Sequence, residues 1–178
     1  KPQVASVCAT LLQRKHRSSS ESILSDSNVL ALMLNLGLQP NIQIYTILVK
    51  NAVDAGDSET AWQIHNIMVE NNVHPNEYTY SILLNDAKLR MDWPTVEHIM
   101  ETVRSNHIKA EHIVTDLLHA IFLFHEQERK VAPTGHIPSS PFKRMLTLYC
   151  EYFDTGPVKD LLGTSSYQQY LPESDREK

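Results

Sequence analysis

Two abutting stretches of 35 residues answer each other position by position. Residues 42–76 read IQIYTILVKNAVDAGDSETAWQIHNIMVENNVHPN, and residues 77–111 read EYTYSILLNDAKLRMDWPTVEHIMETVRSNHIKAE. Aligned without a gap, Tyr45 falls on Tyr80, Ile47 on Ile82, Leu48 on Leu83 and Ala52 on Ala87. The register persists through Asp57 on Asp92, Ile64 on Ile99 and Asn71 on Asn106. A fixed short period constrains a chain more than its composition does. Each unit must be one supersecondary element, repeated and stacked on its neighbours.

The element reads as a pair of helices. Tyr45, Leu48, Val49 and Ala52 recur at helical spacing and form one apolar stripe. Ala55-Gly56 interrupts it, and Asp57 or Ser58 caps a second helix with Glu59 in its first turn. Ala61, Ile64, Ile67 and Met68 form the second stripe, which ends at Asn71-Asn72 ahead of Pro75. The second unit repeats this plan, with Met91-Asp92 as the break and Pro94 tolerated in a first helical turn. One hairpin cannot bury both of its stripes, so the pattern predicts an all-α fold, an α-solenoid of stacked hairpins.

The flanks fit less well. Residues 28–41 resemble the second helix of a preceding hairpin, whose first helix is expected near residues 4–15, with a Ser-rich run at 18–22 between them. Residues 113–124 continue the apolar helical spacing, 131–141 read as a loop, and Ser140-Pro141 opens a helix reaching Phe153. A short helix is expected near Val158 to Leu162. The organisation is then a degenerate hairpin over 1–41, repeats over 42–76 and 77–111, a partial repeat with irregular C-terminal helices over 112–162, and a tail over 163–178. A chain starting at Lys1 without Met is expected to be a piece of something longer.

Composition narrows the function classes. The 178 residues are 42% hydrophobic and 21% charged, a globular balance. Five glycines against nine prolines argue against an all-β fold, and no apolar run approaches a membrane span. Cys8 and Cys150 cannot build a disulfide scaffold, and no C-x-x-C pair is present. The net charge is −5, the wrong sign for phosphate neutralisation. By unit the charge is +2 over 1–41, −3 over 42–76, −2 over 77–111 and −2 over 112–178.

Hairpins of this length, with an aromatic near the start and a Pro-Asn doublet at the end, resemble the pentatricopeptide repeat (PPR) family. Tyr45, Leu48, Ala55-Gly56, Ala61, Met68 and Pro75-Asn76 carry the resemblance in the first unit, and Thr79-Tyr80, Leu83, Ala87, Ile99 and Ile108 in the second. In that second unit Ala110 replaces the terminal Pro, and Arg90-Met91 replaces the Ala-Gly turn.

The resemblance implies binding of single-stranded RNA, with one base read per repeat. It assigns the base edge to a polar residue in the first turn of each first helix: Thr46, Ser81 and Asp116. The last residue of each repeat cooperates with it: Asn41, Asn76 and Glu111. Thr46 with Asn76 resembles the combination used for adenine. The second residue of each unit is expected to wedge between bases; these are Gln43, Tyr78 and Ile113, of which Tyr78 offers a stacking face. Where the family often places a phosphate-binding Lys this chain has Asp54, with Lys88 and Arg90 as substitutes in the second unit.

No catalytic, metal or cofactor site accompanies these residues. Nine His include His112 and His119 on one helical face, but no H-E-x-x-H or close Cys/His set occurs. The deaminase signature and any Gly-rich phosphate loop are absent too. The expectation is a non-enzymatic RNA-binding protein of the mitochondrial matrix, acting in transcript processing, stability or translation. The alternative is a scaffolding subunit of a mitochondrial assembly such as the mitoribosome, binding mainly protein.

Overall fold

A computed structural model of the chain describes residues 26–35, 37–133 and 140–162. Among the described residues there are eight helices and no strand: α1 (Asp26–Asn35), α2 (Ile42–Asp54), α3 (Ser58–Glu70), α4 (Glu77–Leu89), α5 (Trp93–Ser105), α6 (Glu111–Val131), α7 (Phe142–Tyr152) and α8 (Gly156–Leu162). The all-α architecture of helical hairpins is the one expected from the repeat. The helix expected near 4–15, the Ser-rich run at 18–22, most of the 131–141 loop and the tail from 163 lie outside the described residues.

Short polar side chains start the helices. The Asn41 Oδ1 accepts from the Ile44 amide at 3.1 Å, and the Asn76 Oδ1 accepts from the Thr79 amide at 3.2 Å. Asp57 and Asp92 do the same for α3 and α5, accepting from the amides of Thr60 and Thr95 at 3.0 and 3.2 Å. Each such cap satisfies a backbone donor that the helix cannot, and contributes about 1 kcal/mol. Hydrogen bonds from the Thr60 hydroxyl and amide hold the Asp57 carboxyl below its ordinary value. The stabilisation that goes with this lowered pKa is present above the ordinary carboxylate pKa and is lost as pH falls through the depressed one.

The helix ends share one device. Gly37, Gly56, Asn72, Met91 and His107 all have φ between +52° and +77°. In each case the next amide reaches back to a carbonyl of the last turn (Met33, Ala52, Met68, Ala87 and Val103) at 2.9–3.0 Å. Gly takes this left-handed conformation freely, whereas a residue with a Cβ is strained in it.

Contacts divide the chain into two compact units, residues 1–86 and 87–178, with the boundary inside α4 near its C-terminal end. In the first unit α2 packs on α3 and on α1. Its core holds Ile44, Tyr45, Leu48, Val49 and Ala52 from α2, Ala61, Ile64 and Met68 from α3, Leu30 and Met33 from α1, and Tyr80, Leu83 and Leu84 from α4. The stripes read from the repeat are these faces. Burial pushes the Tyr45 and Tyr80 phenols up from their ordinary value, which keeps them neutral in the core. In the second unit α6 packs on α5 and α7. There Val96, Ile99 and Val103 meet Ile113, Val114, Leu117, Ala120 and Ile121, with Leu146 and Leu148 of α7. Each fully buried aliphatic side chain contributes about 1.5–3 kcal/mol of transfer free energy.

Both Trp residues are half-buried. Trp62 meets His65 of its own helix edge-on at 5.1 Å, whereas Trp93 of α5 meets Phe124 of α6 at 4.8 Å. The Arg144 guanidinium lies over the Trp93 ring at 4.2 Å and binds Glu97 at 2.9 Å, which ties α7 to α5.

Met91 and Gly56 occupy equivalent turns, at φ +55° and +77°. Met91→Gly is expected to raise stability by about 0.5–1 kcal/mol, the strain released less the backbone entropy of Gly. Gly56→Ala should lower it by about 1 kcal/mol through backbone strain alone, since a Cβ there would meet nothing within 4 Å. Urea midpoints of the two variants should move in opposite directions.

Candidate nucleic-acid interface

Thr46 lies one turn into α2, and Asn76 immediately precedes α4. The fold joins them through Thr79, which carries part of the family resemblance but was given no role at the base. The Thr46 and Thr79 hydroxyl oxygens are 2.9 Å apart, and the Thr79 hydroxyl donates to the Asn76 Oδ1 at 3.1 Å. Thr79 is wholly buried, while Thr46 and Asn76 are half-buried and reach the surface. Gln43 and Tyr78 occupy the corresponding places on α2 and α4, two residues after the cap, and both are exposed, Tyr78 to 60%. Asn41 is exposed, and its carboxamide oxygen is engaged in capping α2. Ser81, in the register of Thr46, is half-buried on α4.

The next helix departs from the gap-free register. α2 and α4 begin after residues 41 and 76, but α6 begins after residue 110, one position early. The turns before these helices still match at 35 residues, since Ile108 bonds back to Val103 as Val73 does to Met68. One residue is therefore missing from the connector that follows. The buried faces agree: positions 3, 4, 7 and 11 after the cap are buried in α2 (Ile44, Tyr45, Leu48, Ala52), in α4 (Thr79, Tyr80, Leu83, Ala87) and, counted from Ala110, in α6 (Ile113, Val114, Leu117, Ile121).

Three sequence expectations change as a result. Ile113, expected to wedge between bases, is fully buried, because it occupies the register of Ile44 and Thr79. Glu111, expected as the last residue of its repeat, lies in the first turn of α6, where its carboxylate suits the helix dipole; Ala110 takes the cap without a side-chain bond. Asp116, expected at the base edge, lies one position past the register of Thr46 and Ser81. Thr115 occupies that register and His112 that of Gln43 and Tyr78, and both are exposed.

Lys88, expected to meet a phosphate, is also placed otherwise. It is 7% exposed, and its Nζ lies 2.8 Å from the Asp116 Oδ1. A buried ammonium needs such a partner to offset its desolvation. The charge of Lys88 is thus spent within the second unit. Asp54, at the position where a cation was sought in the first repeat, pairs with Lys50. Arg90 lies beside Asp92 at 3.6 Å. Among the described residues no group of three or more His, Cys, Asp or Glu is placed to hold a metal ion, and no helix is long and apolar enough to cross a membrane.

The model of the PPR repeat family matches residues 40–87, which take in α2, α3, their connections and most of α4. Over those residues the chain is similar to the pentatricopeptide repeat. No curated protein matches the chain. Among solved structures, the chain is similar to the pentatricopeptide repeat protein PPR10 in complex with an 18-nt psaJ RNA element, at 17% identity and a TM-score of 0.49. The similarity covers 93% of this chain and 26% of PPR10. A second PPR10 complex gives 16% identity and the same TM-score. The chain thus spans about a quarter of the length of the solved PPR protein it matches.

Sequence reasoning gave no place on this face to Thr79, Thr115 or His112. Thr79 is a polar residue on an apolar stripe, a signal that was present in the sequence. The other two depend on the shortened connector, which leaves its trace only as Lys109-Ala110 where Pro75-Asn76 stood.

The Lys88–Asp116 pair yields a stability test. Asp116→Ala should cost about 2–3 kcal/mol, below the full penalty for orphaning a buried charge because Asp116 is partly exposed. The double variant Lys88→Met with Asp116→Leu should return to within about 1 kcal/mol of the wild type in urea unfolding.

Proposed function

We propose that this chain binds single-stranded RNA as part of a PPR protein of the mitochondrial matrix, serving the processing, stability or translation of transcripts. The observation that carries the reading is the Thr46–Thr79–Asn76 hydrogen-bonded set. It couples the two residues that the PPR resemblance assigns to one base, inside the stretch matched by the family model. A hydroxyl and a carboxamide at the surface satisfy a base edge, and adenine is the base the resemblance implies for this pair. Tyr78 and Gln43 then flank the base, Tyr78 with a ring face for stacking. In the next repeat, Thr115 and His112 take the roles that the gap-free alignment gave to Asp116 and Ile113. The mitochondrial setting and the role in transcript metabolism rest on the resemblance. The reading involves no catalytic group and no cofactor.

A scaffolding role, in which the same helices hold protein within a mitochondrial assembly, is favoured by specific observations. The net charge is −5, and Lys88 is neutralised by Asp116 rather than offered to a phosphate.

Titration of the chain against short single-stranded RNAs at several salt concentrations separates the two. RNA binding should be detectable at low salt. It should weaken with a shallow slope, about 0.7 in log K per phosphate neutralised, because few cations are available. No binding at low salt, together with a protein partner that survives nuclease treatment in pull-downs, would give the scaffold reading the lead.

A further inference from the structure

Thr79 makes no contact with solvent, yet it decides what its two neighbours offer. Its backbone amide has a hydrogen to give and no lone pair to receive, so the Asn76 atom 3.2 Å away is the carboxamide oxygen. That orients the carboxamide without any choice of flip. The Thr79 hydroxyl lies 3.1 Å from the same oxygen and spends its only proton there. The hydroxyls of Thr46 and Thr79 are 2.9 Å apart and need one proton between them, which Thr46 must supply. Thr46 Oγ1 then faces the surface with lone pairs alone, and Asn76 with the two hydrogens of its Nδ2.

We infer that Thr79 is a positioning residue for base selection: it locks Thr46 as an acceptor and Asn76 as a donor. This rests on the RNA reading above and deepens it. A hydroxyl free to rotate accepts from an amino group or donates to a keto oxygen with equal ease, and so discriminates little between bases. With its proton committed, it keeps only the first option. An adenine, with an exocyclic amino group beside an unprotonated ring nitrogen, matches an acceptor beside a donor. Inosine, which differs by a keto oxygen at that position and a hydrogen on the ring nitrogen, presents the reverse order. In the pose that suits adenine it sets oxygen against oxygen. In the second repeat the register of Thr79 is held by buried Ile113, so no such lock exists there. Selectivity from this device belongs to the first repeat alone among the described residues.

The experiment compares the affinity of the chain for a short oligoadenylate with that for the same strand carrying one inosine, moved through each position. The wild type should show one position at which inosine weakens binding. Thr79→Val keeps the buried shape and removes the hydroxyl; it should lower the adenosine-to-inosine ratio at that position about fivefold, the worth of one hydrogen bond. Thr79→Ser keeps the proton and should retain the ratio, which a purely structural role would not predict. Helical content by circular dichroism should be the same in all three proteins. If the wild type discriminates and Thr79→Val discriminates equally, the inference is overturned while RNA binding stands. If Thr79→Val fails to fold, a Thr79→Ser ratio below that of the wild type overturns the inference and an unchanged one upholds it. If the wild type binds no oligonucleotide, the RNA reading fails and the inference goes with it.

Discussion

Which side chains of a helix face the core depends on where the helix begins, because each residue turns the chain by about 100°. In this protein the beginnings are set by connectors a few residues long. A left-handed residue closes each preceding turn, and Asn41, Asn76 or Ala110 opens the helix that follows. The exposure of the side chains on the first helix of each hairpin hangs on that spacing. Where the connector has the same length, Gln43 and Tyr78 are exposed and Ile44 and Thr79 are buried. Where it is one residue shorter, Ile113 turns into the core and His112 out of it.

The same constraint sorts the charges. Asp116 lies one place beyond the base-edge register and close enough to Lys88 to neutralise it at 2.8 Å. A cation that the chain would otherwise show to solvent becomes part of the fold of the second unit, and the deficit of available positive charge grows.

Polar residues on buried stripes are informative for a related reason. A buried hydroxyl must find partners or destabilise the fold. Thr79 finds two, Thr46 and Asn76, and both belong to the pair that the repeat pattern had already singled out. Its equivalent in the first helix of the preceding unit is Ile44, and in the following unit Ile113, so among these three equivalent positions only Thr79 reaches out from the core to orient surface groups.

The hairpin architecture, the buried stripes, a cap at Asp57 or Ser58 and the breaks at Ala55-Gly56, Asn71-Asn72 and Met91-Asp92 could all be read from the chain. Each rests on local chemistry repeated twice: helical spacing of apolar residues, a capping oxygen, a residue that accepts positive φ. Tertiary structure alone decided the register of α6, the burial of Ile113 and Lys88, and the link from Thr46 through Thr79 to Asn76. A missing connector residue is invisible to a gap-free alignment that ends where the gap falls. Hydrogen bonds between residues 33 apart in sequence exist only once α2 and α4 lie side by side.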